Sequence, residues 1–219
     1  MTIRTVLFDL DGTIIDTNEL IIASFLHALK DIEAVEPISR DRIIPLMGQP
    51  LDQQMRIFAR VEAVDDLIAA YRTFMLERHD ELVAEFPHVK SVMERLHRHG
   101  VRIGVVTTKR RMMTELGLKR MGLFDYVDAI VSLDEVEHPK PHPEPVLKAV
   151  EALGADPSET AMVGDSLVDI EAANRAGVLS IGVGWSLKGE AMLREANPAM
   201  VIHDMRELLI LTGVGSDGD

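Results

Sequence analysis

Thr5-Val6-Leu7-Phe8-Asp9-Leu10-Asp11-Gly12-Thr13 is the stretch on which the reading of this 219-residue chain turns. The apolar run 5–10 stops at Asp11-Gly12, as a strand buried on both faces does when it ends in a loop. Asp9 and Asp11, two residues apart, leave that strand end together and run into a glycine turn. In an open parallel sheet this end is where ligands bind, and a glycine there lets backbone approach one closely. Two neighbouring carboxylates in a concave site repel, so a proton or a cation between them has to relieve the charge. With oxygen donors and no cysteine in the chain, the natural cation is Mg²⁺.

Working outward, the segments 102–107, 129–131, 160–163 and 180–183 are also short and apolar or β-branched, which gives five predicted strands. Stretches with helical spacing separate them. One spans 89–99, with Val92, Met93 and Leu96 as its apolar stripe and Gly100 as its stop; another spans 166–176 and stops at Gly177. Strands alternating with helices predict an α/β fold, a doubly wound parallel sheet with right-handed crossovers. Residues 16 to about 84 break the alternation. They hold no convincing strand and read as amphipathic helices, including a long one over 64–82 and a Pro/Gly turn over 45–50. The expected organisation is a catalytic core of residues 1–15 and 84–219, with an all-helical cap of residues 16–83 inserted after the first strand. Junctions near Asp16 and Ala84 then act as hinges. The tail 212–219 is rich in Gly and Asp and is expected to fray.

Composition narrows the function. Lys and Arg number 23 against 36 Asp and Glu, a net charge of −13 that repels nucleic acid and anionic membrane surfaces. The absence of cysteine excludes thiolate nucleophiles, disulfides and iron–sulfur clusters and fits a reducing compartment. No uncharged apolar stretch approaches the roughly 20 residues of a membrane span, and no secretory pattern opens the chain, so the expectation is a cytoplasmic protein without a membrane partner.

A second acidic pair, Asp165 and Asp169, follows the fourth predicted strand in Val163-Gly164-Asp165-Ser166-Leu167-Val168-Asp169. Four residues apart, the two lie on one face of a helix's first turn, where they serve either as helix-capping groups or, with Asp9, as part of a metal site. Lys140 sits in the proline-rich loop His138-Pro139-Lys140-Pro141-His142-Pro143-Glu144-Pro145, where a fixed ammonium would neutralise Asp9 and a phosphoryl oxygen. Thr107 and Thr108 end the second predicted strand and offer hydroxyls to the same oxygens. Histidines 79, 88, 97, 99, 138 and 142 lack a metal-binding spacing and read as surface or loop residues, and the twelve methionines read as core filler. Neither a P-loop nor a serine-hydrolase elbow is present.

Asp9 to Thr13, Thr107, Lys140 in KPHPEP, and GDSLVD over 164–169 resemble, in order, the four motifs of the haloacid-dehalogenase-like phosphohydrolases. The resemblance spans the chain. It implies Asp9 as nucleophile, Asp11 as general acid and base, and Thr107 and Lys140 as phosphoryl binders. Mg²⁺ would be held by Asp9, Asp11 and Asp165 with Asp169 in support, and Thr13, Thr108 and Lys109 complete the substrate-binding set. Beyond the motifs, residues 17–22, 79–83, 105–109, 136–138 and 185–189 are most similar to the branch that hydrolyses inorganic pyrophosphate. Lys109, Lys188 or a cap arginine such as Arg56 would then meet the leaving phosphate. Phosphoglycolate phosphatases share the framework and remain an alternative, as does a catalytically silent regulatory protein that binds a phosphate ligand. Sugar-phosphate mutases of the family carry a cap histidine where Ile21 stands here, and dehalogenases proper lack the second aspartate. The implied partner is a small phosphate-containing molecule, with the choice between monomer and dimer left open.

Overall fold

The computed structural model describes residues 2–32 and 36–215. The opening apolar run becomes β1 (Thr5–Phe8), every residue of it buried. It lies in a six-stranded, all-parallel sheet of order β3-β2-β1-β4-β5-β6, with β2 (Arg102–Val106), β3 (Ala129–Val131), β4 (Thr160–Gly164), β5 (Leu179–Val183) and β6 (Met200–Ile202). The doubly wound α/β architecture and all five anticipated strands are present. The sixth, β6, escapes a sequence reading because it has only three residues, of which Ile202 alone is buried, too few to print a pattern.

Alternation along β1 sorts its side chains between two cores. Val6 and Phe8 join Ile103, Val105, Ala161, Val163 and Ile181 on one face, covered by α5 (Val89–Arg98) and α10 (Glu207–Leu211). Leu7 joins Val106 and Met162 on the other face, covered by α7 (Glu144–Ala152) and α8 (Leu167–Ala176). With both faces buried the strands can be apolar throughout, which is why they read as runs rather than alternations. β1 and β2 are shorter than their apolar runs. Asp9 N still donates to Val163 O at 2.9 Å and Thr107 N to Val131 O at 3.0 Å before the chain turns away. α6 (Arg111–Arg120) follows β2, and α9 (Glu190–Glu195) follows β5.

Residues 18–82 form α1 (Asn18–Ala28), α2 (Arg40–Ile43), α3 (Leu51–Ala59) and α4 (Asp65–Leu82), with no strand among the described residues. They have a core of their own, in which Phe25 packs on Phe58 and Tyr71 at ring-centroid distances of 5.7 and 5.0 Å. Asp16 and Ala84 exchange backbone hydrogen bonds of 3.0 and 2.9 Å, so the chain enters and leaves this helical segment through one short pair of bridged strands. One histidine departs from expectation: His79, on the buried face of α4, is only 4% exposed. Burial pulls its imidazole below the usual value against the opposing hydrogen bond to the Asp80 carboxylate. Residues 216–219, half of the tail expected to fray, lie outside the described residues.

Phe25→Ala empties the centre of the helical core and is expected to cost about 3–5 kcal/mol. Urea denaturation at neutral pH checks this; a loss under about 1 kcal/mol would mean that the segment does not fold around Phe25.

Candidate active site

The strand order reverses between β1 and β4. β1 connects towards β2 on one side, β4 towards β5 on the other, and the crevice beyond their C-terminal ends is where a parallel sheet holds its ligands. Asp9 leaves β1 and Asp165 leaves β4 on either side of that crevice, and Thr107 leaves β2 next to it. The loop after β1 folds over towards β4. Gly12 has φ +80°, and a Cβ there would lie 2.8 Å from Asp165 Oδ2, so both conformation and space demand glycine.

Lysines hold the carboxylates in place. Lys140 is buried and gives all three of its protons away: to Asp9 Oδ1 at 2.7 Å, Asp169 Oδ1 at 2.6 Å and Val106 O at 2.8 Å. It joins the ends of β1, β2 and α8 beneath the crevice. Asp169 Oδ2 accepts from Ser166 N at 3.0 Å and Ser166 Oγ at 2.5 Å, a capping box that starts α8. Asp169 therefore caps a helix and anchors Lys140 at once. Lys109 Nζ donates to Asp11 Oδ1 and Oδ2 at 2.7 and 3.0 Å, and Thr17 Oγ1 donates to Asp11 Oδ1 at 2.7 Å. Lys188 Nζ donates to Asp165 Oδ2 at 2.6 Å, and Ser186 Oγ to Asp165 O, also at 2.6 Å.

Four carboxylates thus face three ammonium groups in a buried setting. Burial pushes Asp9 up to about 8, with Lys140 pulling it down and Asp169 and Asp165 pushing it further up. Burial also raises Asp165, against the pull of Lys188. Burial would lower Lys140, but Asp169 and Asp9 outweigh it and hold the ammonium above its ordinary value. Asp9 is short of positive charge. Oxygens of Asp9, Asp165 and Asp169 lie within 4.8 Å of one another, an all-carboxylate donor set of the hard type that Mg²⁺ takes. The residues fit a divalent cation, and Asp11 stands outside that closest group of three.

Above the carboxylates is a cavity of about 110 Å³. Asp9, Asp11, Thr107, Thr108, Lys109, Asp165 and Lys188 line its floor and rim, while Met47, Gly48, Tyr71 and Arg72 reach it from the helical segment. Gly48, at φ +99°, lies against α8 so closely that a Cβ would come 2.9 Å from Ser166 Oγ. Its carbonyl accepts from Thr108 Oγ1 at 3.0 Å, so the segment rests directly on the crevice.

Three residues predicted from sequence to meet the substrate do not line the cavity, although Lys140 neutralises Asp9 as expected. Thr13 is fully buried beneath the loop, away from the cavity lining, and its hydroxyl has no hydrogen-bond partner in the structure. Lys140 is also absent from the lining and has no proton left to offer a substrate. Arg56 pairs with Asp52 on the surface and does not reach the cavity. The arginines that do line it are Arg72 and Arg110. The signal for Arg72 was a spacing: it follows Ile68 by four and precedes Met75 by three, on the buried face of α4. Thr17, which steadies Asp11, stands four residues beyond the first motif.

A family model described as haloacid dehalogenase-like hydrolase matches residues 6–183. A Bacillus mycoides protein named pyrophosphatase PpaX is 46% identical over 211 residues, covering 95% of this chain and 96% of its own. A protein of the same name from Bacillus velezensis is 44% identical over 212 residues, covering 97% of each chain. Among solved structures, a Haemophilus somnus protein described as a predicted phosphoglycolate phosphatase superimposes with a TM-score of 0.82 at 24% identity, over 97% of this chain and 99% of the other.

Two outcomes follow from the charge arrangement. Lys140→Met leaves two buried carboxylates without their shared cation and is expected to cost about 3–5 kcal/mol in urea denaturation at neutral pH; a loss under about 1 kcal/mol would contradict the pairing. Because the folded-state value of Asp9 lies above its unfolded value, its contribution is complete below about pH 4 and is lost as pH rises through about 8. In chelator, the native protein is expected to lose stability over that window and Asp9→Asn to show a flatter profile; parallel profiles would refute the raised value.

Proposed function

This chain belongs to the haloacid dehalogenase-like hydrolases, and from that premise we propose that it splits inorganic pyrophosphate into two phosphates through a phosphorylated Asp9. The observation that carries the reaction is the placement of Asp9 Oδ1 at 2.7 Å from Lys140 at the crevice floor, with Asp11 on the same cavity wall. The support for pyrophosphate is the near full-length identity to the two Bacillus pyrophosphatases, together with the lysines and arginines that surround the cavity.

In this reading an Asp9 oxygen attacks the nearer phosphorus in line, a P–O bond to Asp9 forms, and the P–O bond to the leaving phosphate breaks. Asp11, having first taken up a proton from solvent, gives that proton to the leaving oxygen and becomes a carboxylate. It then takes a proton from water, whose oxygen attacks the same phosphorus and releases Asp9 as a carboxylate. Thr17 and Lys109 hold the Asp11 carboxylate in position for both transfers. Lys140 cancels charge on Asp9 so that an anion can approach a phosphate at all. Asp9 and Asp165 would hold Mg²⁺, kept in register by Asp169; bound there, Mg²⁺ supplies positive charge to the transferring phosphoryl oxygens. Thr107, whose hydroxyl accepts from Lys109 N at 3.1 Å, and Thr108 line the same wall.

The division proposed here is a catalytic core of residues 1–15 and 84–219 and a helical cap of residues 16–83. The cap swings about the bridged pair Asp16 and Ala84, and the hydrogen bond from Thr108 to Gly48 marks its closed position. A second reading has its own support. Ile21, Met47, Leu51, Met75 and Met113 give the cavity an apolar side, which suits a phosphomonoester with a short organic leaving group such as 2-phosphoglycolate.

Phosphate release from pyrophosphate, 2-phosphoglycolate and a sugar-phosphate panel, with Mg²⁺ and with chelator, tests the proposal. Pyrophosphate is expected to lead and chelator to abolish turnover; esters turned over faster than pyrophosphate would favour the second reading. Asp9→Asn is expected to lower kcat by about 10³-fold or more with the fold intact, and retained activity would remove Asp9 from the chemistry.

A further inference from the structure

The cations around the cavity are not equivalent. Lys109 is committed to Asp11 and Lys188 to Asp165. Arg72, partly buried on α4, makes no hydrogen bond and no ion pair among the described residues. Arg110, just ahead of α6, has its nearest carboxylate, Asp134, at 3.8 Å, and the other oxygen of Asp134 accepts from Arg111 N at 2.7 Å. Burial lowers Arg72 below the usual guanidinium value, and the like charge of Arg110 lowers it further, with Asp134 pulling the other way. Two guanidinium groups therefore share one cavity, one from the helical segment and one from the α/β part, at a cost that an anion between them would relieve.

A guanidinium offers paired N–H groups in a plane, the shape that meets two oxygens of a phosphate or a carboxylate at once. We propose that Arg72 and Arg110 form a second anion subsite, which holds the negatively charged group of the substrate that is not transferred. This inference rests on the hydrolase reading above and deepens it: the substrate class is a small phosphate compound with a second anionic group close to the scissile bond. That group is a phosphate if the substrate is pyrophosphate and a carboxylate if it is phosphoglycolate. Because the two arginines come from separate parts of the chain, the bound anion also ties the helical segment down over the crevice, so the subsite couples recognition to closure.

The test compares Arg72→Gln, Arg110→Gln and Arg72→Lys with the native protein on pyrophosphate, 2-phosphoglycolate and p-nitrophenyl phosphate, the last having no second anion. Arg72→Gln is expected to raise KM for the substrate with a second anionic group by about 10- to 100-fold, with Arg72→Lys recovering part of the loss. The kcat/KM for p-nitrophenyl phosphate is expected to stay within about twofold, since no contact to it is removed. Whichever of the first two substrates suffers more identifies the second anion as phosphate or carboxylate. Equal losses on all three substrates, or none, would overturn the subsite. Calorimetry of pyrophosphate binding to Asp9→Asn, with and without Arg72→Gln, reads the same contact without turnover. Affinity about 10- to 100-fold weaker in the double variant supports the subsite even if the hydrolase reading fails, and unchanged affinity overturns it.

Discussion

One buried ammonium makes the rest of this arrangement tenable. Lys140 spends its three protons on Asp9, Asp169 and Val106, and without it the end of β1 and the first turn of α8 would bring two uncompensated buried carboxylates together. The cost of burying charge is offset only because every proton of Lys140 has an acceptor and Asp169 is itself pinned by Ser166. Burial nonetheless pushes Asp9 up to about 8 against the pull of Lys140, so the site is stable enough to form and still in want of a cation. Structure and proposed chemistry meet at that residue.

From this centre the surroundings fall into place. The loop after β1 needs Gly12 because Asp165 stands too close for a side chain. The loop carrying Gly48 needs the same freedom because it rests on Ser166, the residue that caps α8. The helical segment is hydrogen-bonded to the crevice through the Gly48 carbonyl, which accepts from Thr108, and residues such as Met47, Tyr71 and Arg72 also line the cavity there. Such contacts can break and re-form with the α/β core intact, while Met113 and Leu116 of α6, which pack with the helical core, have to part from it in the proposed opening.

Much of this was legible in the amino-acid order because short-range rules controlled it. Asp9, Asp11 and Gly12 announce a strand end, and Asp165, Ser166 and Asp169 announce a helix start, so a linear reading finds both. Lys140 stood out because prolines surround it, although its use as a buried counter-ion rather than a free phosphate ligand depends on Val106 and Asp169, which no local pattern connects to it. Lys188 and Lys109 read from the sequence as substrate contacts and do line the cavity, but their pairing with Asp165 and Asp11 spans 23 and 98 residues and no local pattern shows it. The burial of His79 is not legible because one imidazole gives no sign of which helix face is buried, nor is β6, because three residues carry no period. Arg72 lay on a visible spacing, but only the fold turns that spacing towards the crevice rather than to solvent.

The central claim is that the buried, lysine-compensated Asp9 carries the phosphoryl group. Quenching turnover with borohydride, which reduces an acyl phosphate to the alcohol, and mapping the product by peptide mass spectrometry tests it most directly. The account predicts homoserine at position 9 and at no other aspartate, in amounts that depend on substrate. An unmodified residue 9 during active turnover, or modification at Asp11 or Asp165 instead, would contradict it.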